Sequence, residues 1–454
     1  MMQRAFLGID IGTSKTAAVI IDAGGSTIAV ASRPHRADMG GEPGHSEQDP
    51  HVLLASVWAV VGGLPTEARS AVAAVGLTGQ MHGVVLLDEA GEPVGPLVTW
   101  QDGRCLEGAF LDQLNARTGA ALRTGYGCAT LAWYAGRGRL PGRAAAAATI
   151  HDWIAARICA MGRPVTDPTD AASWGLFDLS TGDWDSRAVT AAGFPRCLLP
   201  LVVPCGQGIG AVSAASAAML GVTEGIPVAA AIGDNQASLL GTLRDPEREL
   251  ALTLGTGGQL SAVQPHGAPG RNAFRAPEPG ASWEFRPYPG GRLLAVAASL
   301  CGGSAWQWLV QTIQGWQADL GLPASQADAL FVRLNELAAA DTGGLAVHPH
   351  FLGERHDPER RASIDGITLD NFSLGAIAHA LAEGICANLR DMLPAALRAG
   401  RTRVVASGNA LERNPALRKA AEAVFGLPVQ LSGQAEAAAV GAARNAASMD
   451  KEEA

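Results

Sequence analysis

One pattern occurs twice in this chain, and it limits the folds open to it. Near the start, Leu7-Gly8-Ile9-Asp10-Ile11 runs into Gly12-Thr13-Ser14-Lys15 and then into Thr16-Ala17-Ala18-Val19-Ile20-Ile21. Far downstream, Leu252-Thr253-Leu254 runs into Gly255-Thr256-Gly257-Gly258 and then into Gln259-Leu260-Ser261-Ala262-Val263. Each copy is an apolar run, a Gly-Thr turn and a second apolar run, which predicts a β-hairpin. Small and hydroxylated residues in such a turn let backbone N–H groups and hydroxyls approach an anion closely. Two such turns facing each other across a cleft can grip a polyphosphate from both sides. Asp10, just ahead of the first turn, suits a metal held through water.

The 454 residues exceed what one core usually serves, so two or more domains are expected. Hydrophobic content of 48% against 17% charged residues is that of a globular chain rather than a disordered one. The formal net charge of −9 argues against nucleic acid and anionic membranes as partners, since both favour basic surfaces. No stretch reads as a bilayer span, and Asp10 interrupts the apolar N-terminal run, so no signal peptide is expected. The seven cysteines are scattered and contain no Cys-x-x-Cys pair, which fits reduced thiols in a cytoplasm.

Along the chain, hairpin one fills roughly residues 5–31, and 52–63 read as a helix. Ala71 to Leu77 is a strand ending at Thr78-Gly79-Gln80-Met81-His82-Gly83, and Val84 to Leu87 is another. The Ala-rich stretch Ala144 to Ala148 reads as a helix former. Pro227 to Ile232 is a strand ending at Gly233-Asp234-Asn235-Gln236. The polar segment Arg244-Asp245-Pro246-Glu247-Arg248-Glu249 places a domain boundary between 244 and 245. Expected units are therefore 1–244 and 245–446, with a polar, frayed tail over 447–454. Strands and helices mix in both halves, so the fold class is α/β, two domains around a central cleft.

Asp234 ends an apolar strand beside Gly233, a setting suited to a general base at a cleft. An isolated Gly-Asp pair is more commonly a turn or a helix cap, so the assignment needs company. The tips at 78–83 and 99–104 supply it with Gln80, His82, Trp100, Gln101, Asp102 and Arg104. Polyols need directional donors and acceptors plus one flat apolar surface, and this set provides both. No P-loop is present, and Gly206-Gln207-Gly208-Ile209-Gly210 lacks the spacing of a dinucleotide motif. His348, His350 and His356 lie in a loop context that reads as structural rather than metal-binding.

On these residues the chain resembles the FGGY carbohydrate kinases along nearly its whole length. The marks are Asp10-Ile11-Gly12-Thr13-Ser14, Gly79-Gln80-Met81-His82-Gly83, Gly233-Asp234-Asn235, Leu254-Gly255-Thr256-Gly257, Gly353-Glu354-Arg355 and Ser407-Gly408-Asn409-Ala410. Longer marks include Leu97 to Cys105, Thr124 to Thr130, Thr149-Ile150-His151-Asp152 and Ala171 to Gly175. The resemblance implies two ribonuclease-H-like domains of the actin/hexokinase superfamily closing over ATP, Mg²⁺ and a ketose. In that scheme Asp234 accepts the proton of the sugar's terminal primary hydroxyl. Gly12, Thr13, Ser14, Lys15, Gly255, Thr256 and Gly257 serve the phosphates, and Asp10 orients Mg²⁺ through its waters. Gly302, Gly303, Gly408 and Asn409 line the nucleotide slot. Gln80, Met81, His82, Trp100, Asp102, Asp234 and Asn235 face the sugar.

The ketose implied is sedoheptulose, with D-xylulose the alternative because Gly233-Asp234-Asn235-Gln236 departs from the expected Gly-Asp-Leu-Gln. A nucleotide-driven conformational switch is the rival from another class, and the polar tips and Asp234 speak against it. The sequence leaves a homodimer open.

Overall fold

The computed structural model describes residues 4–265, 278, 280–340 and 343–452. Two β-sheets organise it. In the first, β1 (Ala5–Ile11), β2 (Lys15–Asp22) and β3 (Thr27–Pro34) form an antiparallel meander. β4 (Val72–Gly79) then adds parallel to β1. Further out lie β5 (Gly208–Ala211) and β6 (Pro227–Ala229), and the short β7 (Ile232–Gly233) continues beside β4. β1 and β4 are apolar on both faces because both faces are covered, as in other buried parallel pairs.

The second sheet repeats the plan. β8 (Glu249–Leu254) and β9 (Gly258–Val263) form a hairpin, and β10 (Trp283–Tyr288) and β11 (Arg292–Ser299) extend it. β12 (Arg403–Ser407) adds parallel to β8, as β4 does to β1, and β13 (Val429–Leu431) closes that edge. The predicted hairpins are both present, with the Gly-Thr turns at their tips. Hairpin one runs on into β3, so the meander ends at Pro34 rather than near residue 31.

The chain passes from the first sheet to the second across a border between Thr242 and Glu249, and the packing crosses it. The helix Asp234–Thr242 precedes the border, yet Leu239 and Leu243 at its end join a core with Ala251, Val263, Leu294 and Val405 of the second sheet. The helix Ala437–Glu452 follows the second sheet, yet its Ala439, Val440 and Ala443 pack on Phe6, Val19 and Ala74 of the first. These two helices also lie against each other, each unit lending one to its neighbour. Within the stretch expected to fray, this helix continues from Ala447 to Glu452, and residues 453–454 lie outside the described residues.

Two further expectations are corrected. Residues Ala146–Ala148 form a strand, fully buried and paired with Val85–Leu87, not a helix. Alanine's helix propensity is worth a fraction of a kcal/mol per residue, and ladder hydrogen bonds within a core override it. The strand expected over 227–232 breaks in two, because Ala230 N–H turns away to Gln207 O. No helix among the described residues is long and apolar enough to cross a membrane.

Candidate active site

The parallel register aims the candidate residues at one place. Asp10 on β1 sits opposite Thr78 on β4, and Gly233 on β7 sits opposite Gly79. Asp10 and Asp234 therefore leave the sheet at the same end, on either side of β4. The Gln80–His82 tip continues β4 between them. Ligands of open α/β sheets gather at such carboxyl ends.

Asp234 opens the helix Asp234–Thr242, where the partial positive charge of the helix start favours a carboxylate. Gly233 N–H just before it donates to Thr169 Oγ1 at 2.8 Å, and that hydroxyl donates to Asp167 Oδ1 at 2.6 Å. Burial pushes the Asp234 carboxyl up to about 6, while His151, the Asn235 N–H and Arg286 pull it back. A carboxyl held near neutrality is poised to take a proton. Asp10 is pushed up to about 7, by burial first and then by Asp234 and Glu436, with Lys15 opposing. Its Oδ1 is buried without a hydrogen-bond partner among the described residues. An unsatisfied carboxylate oxygen facing a second carboxylate fits a divalent cation held through water.

The first turn is fixed from three sides. Gly12 N–H donates to Lys15 O at 3.0 Å, Gln48 Nε2 donates to Thr13 O at 2.8 Å, and Trp100 Nε1 donates to Thr13 Oγ1 at 3.0 Å. Ser14 O accepts from His35 N–H at 3.1 Å. Lys15 does not stand free for a phosphate: its Nζ bonds both oxygens of Glu436, at 2.6 and 2.8 Å.

The second turn is braced by the start of the helix Gly303–Asp319. Gly302 N–H donates to Thr256 O, Gly303 N–H to Gly255 O, and Ser304 Oγ to Thr256 O, at 3.0, 2.7 and 2.7 Å. A cavity of about 530 Å³ opens here, lined by Gly255, Thr256, Gly303 and Asn409 among the expected residues. Gly257, Gly302 and Gly408 are not among its lining residues. Gly408, with φ of 95°, lies where a Cβ would overlap Leu254 O. Gln307, Phe331 and Arg413 also line the cavity, and Arg413 lies 5.0 Å over the Phe331 ring. No quoted motif contains these three: Gln307 and Arg413 lie about a turn past Gly302-Gly303 and past Ser407-Gly408-Asn409-Ala410, and Phe331 lies inside a helix with no motif around it.

On the other side, Gln80 and Met81 are buried. Gln80 Nε2 donates to Gln48 Oε1 at 2.8 Å, which ties this tip to the first turn. The Met81 side chain packs on Gly233. His82 adopts φ of 73°, its Nδ1 lies 2.7 Å from Ser173 O, and its N–H donates to Ser173 Oγ at 3.1 Å. Burial pushes its pKa down to about 4, so the ring is neutral. A carbonyl only accepts, so Nδ1 carries the proton and Nε2 is left as an acceptor. Tyr126, from the Thr124 to Thr130 run, stacks on the ring. Trp100 remains half exposed at the rim. Asn235 Oδ1 lies 3.5 Å from Arg286 Nη1, which reaches over from β10.

Asp102 is not where it was expected. Its carboxylate is fully buried and accepts from Arg104 Nε at 2.7 Å, Arg104 Nη2 at 2.9 Å and Ser46 N–H at 2.8 Å. With both oxygens committed, it shapes the loop behind Trp100 and offers nothing to a sugar. Within the field of Asp234 lies another set without a role in the sequence reading: His151 Nε2 and Asp170 Oδ2, 2.8 Å apart and fully buried. The His-Asp motif at 151–152 was its one signal.

Comparison with known proteins gives a consistent answer. Residues 5–241 match the FGGY family of carbohydrate kinases, N-terminal domain, and residues 250–449 match its C-terminal domain. The chain is 34% identical over 466 aligned residues to sedoheptulokinase of Homo sapiens, covering 96% of each. The solved xylulose kinase from Rhodospirillum rubrum superposes with a TM-score of 0.79 at 27% identity, covering 98% of this chain and 89% of that one. Plasmodium falciparum glycerol kinase, solved with ADP, superposes with a TM-score of 0.76 at 20% identity, over 99% and 90% of the two chains. The architecture is thus the two-domain α/β fold of actin and hexokinase.

Proposed function

The chain belongs to the FGGY family of carbohydrate kinases, and on that premise we propose that it transfers the γ-phosphoryl group of ATP to the terminal primary hydroxyl of sedoheptulose. The observation that carries the choice of sugar is the 34% identity to human sedoheptulokinase over 96% of both chains.

In this reading the ketose lies along the Gln80–His82 tip, with its reacting hydroxyl at Asp234. Asp234, ionised above about pH 6, takes the proton as the oxygen attacks phosphorus. His82 Nε2 accepts from a sugar hydroxyl, and Trp100 and Tyr126 give apolar faces. Backbone N–H groups and hydroxyls of Gly12–Ser14 and Gly255–Gly257 cradle the phosphates. The nucleotide occupies the cavity at Gly303 and Asn409. Asp10 would hold Mg²⁺ through its waters, and the ion would neutralise charge on the transferring phosphates. Phosphoryl transfer needs positioning and charge stabilisation more than covalent help, which is what two facing turns supply. Closure of the cleft excludes water, the competing acceptor.

The test is ADP release with Mg-ATP across sedoheptulose, D-xylulose, D-ribulose, D-fructose, glycerol and no sugar. Stimulation chiefly by sedoheptulose is expected. Stimulation by xylulose or ribulose instead moves the substrate and keeps the chemistry, whereas a rate indifferent to every sugar overturns the reading.

A further inference from the structure

Beyond the groups used above, the mouth of the cleft carries a set of charges that do not balance. Arg286 on β10 is held by Glu284, whose Oε1 accepts from Nε at 2.7 Å and from Nη2 at 2.5 Å. Glu284 also lines a cavity of about 250 Å³ with Arg123, Arg355 and His356. Arg123 belongs to the first unit and the others to the second, so the cavity lies between them. Among the described residues, neither the Arg123 nor the Arg355 guanidinium has a hydrogen bond or ion pair. Both are exposed, and each lies within the other's field: burial first, and then Arg123, push the Arg355 pKa down.

The set adjoins the sugar site. Arg286 reaches Asn235, the neighbour of Asp234. His82 feels Arg286, Glu284 and Arg355. Three guanidiniums against one carboxylate leave an excess of two positive charges. A neutral ketose has no use for that excess. A phosphate monoester does, being close to a dianion at neutral pH, with oxygens that match the guanidinium fork.

We propose that Arg123, Arg286 and Arg355 form a phosphate-monoester subsite at the outer end of the sugar site, so that the cleft binds ketoses phosphorylated on the end away from the acceptor hydroxyl. The inference rests on the reading of the cleft as a ketose site. Such a ligand is held by both units at once, through Arg123 on one side and Arg286 and Arg355 on the other.

Calorimetric titration of the full chain with D-fructose 1-phosphate and with D-fructose, without nucleotide, tests this directly. The phosphorylated sugar is expected to bind at least ~10-fold tighter, an advantage typical of charge-assisted pairs. That advantage is expected to vanish in Arg355→Gln and Arg123→Gln and to survive in part in Arg355→Lys. Equal affinity for the two sugars in the unmodified chain overturns the proposal, as does an advantage that persists in both Gln variants. Inorganic phosphate, titrated with the nucleotide slot filled by a non-hydrolysable ATP analogue, serves as the sugar-free arm. Its binding, lost in Arg355→Gln, upholds the anion subsite even if ADP release proves indifferent to ketoses; binding unchanged in both Gln variants overturns it. Unfolding temperatures within about 2 °C of the unmodified chain show that these exposed substitutions leave the fold intact.

Discussion

The rings of His82 and Tyr126 lie face to face, 4.7 Å between centroids and 3° from parallel. The stack matters because His82 holds a left-handed backbone conformation that a β-substituted residue rarely adopts. Tyr126 on one side and Ser173 on the other fix its ring. Removing the Tyr126 ring in Tyr126→Ala should therefore raise the KM for the sugar about 10-fold, the upper range for an aromatic pair. The KM for ATP should stay within twofold, since the cavity proposed for the nucleotide lies in the other unit. Tyr126→Phe keeps the stack and should behave nearly as the unmodified chain. Steady-state kinetics with each substrate varied in turn would decide it, and a rise in both KM values would remove Tyr126 from sugar positioning.

Asp234 leads to a pH prediction whose sign is fixed. Its carboxyl is raised to about 6, and the proposed base works only when ionised. Activity should therefore be present above pH 6 and be lost as pH falls through that value, by about tenfold per unit well below it. Saturating Mg²⁺ keeps Asp10 ionised, so that its titration does not mask this limb. Asp234→Asn should fold normally and lose at least ~100-fold in kcat, the usual scale for a general base. An acidic limb centred near pH 4, or near-normal turnover in the variant, would count against the assignment.

Asp102 shows how sequence can mislead about a site while pointing to the right loop. The Trp-Gln-Asp run placed it beside the sugar, but the buried Arg104 partner takes both carboxylate oxygens. Its removal should thus act on stability. Asp102→Asn leaves the Arg104 guanidinium buried at 3% exposure with a weakened partner set, and a loss of about 3 kcal/mol is expected. Chemical denaturation would measure that loss. In the folded fraction the sugar KM should change less than threefold, and a large KM effect at unchanged stability would restore Asp102 to the sugar site.

The same contrast runs through the whole chain. Both Gly-Thr hairpins, the strand into Gln80 and the strand end at Gly233-Asp234 are local patterns, so they were legible; the helix that starts at Asp234 was not. Lys15 was misplaced because its partner Glu436 is 421 residues away, and no local rule links them. Ala146–Ala148 was misplaced because its ladder partner is remote. Gln307, Phe331 and Arg413 line the cavity beside the second turn only because three separate helices converge there. The crossing of helices between units was also out of reach. Nothing in the Ala-rich end of the chain says on which sheet it will lie.

That crossing provides the last prediction. Gly241 and Gly441 meet where the two exchanged helices touch, and a Cβ on either would overlap the opposing backbone at Ala437 or Ala237. The obstacle is main chain rather than a side chain that can swing away, so the helices must part to admit a methyl group. Gly441→Ala should therefore destabilise the protein by about 1–3 kcal/mol, the usual range for overpacking. It should also cost activity beyond what unfolding explains, since the spacing of these helices sets how the two units meet over the cleft. Gly62, by contrast, ends the helix Pro50–Gly62 with open space where its Cβ would be. Gly62→Ala is the control, expected to change stability by less than 1 kcal/mol. Thermal unfolding and kcat at a temperature where both variants are fully folded would separate the two effects. Equal behaviour of Gly441→Ala and Gly62→Ala would mean that the helix crossing tolerates more separation than its backbone contacts imply.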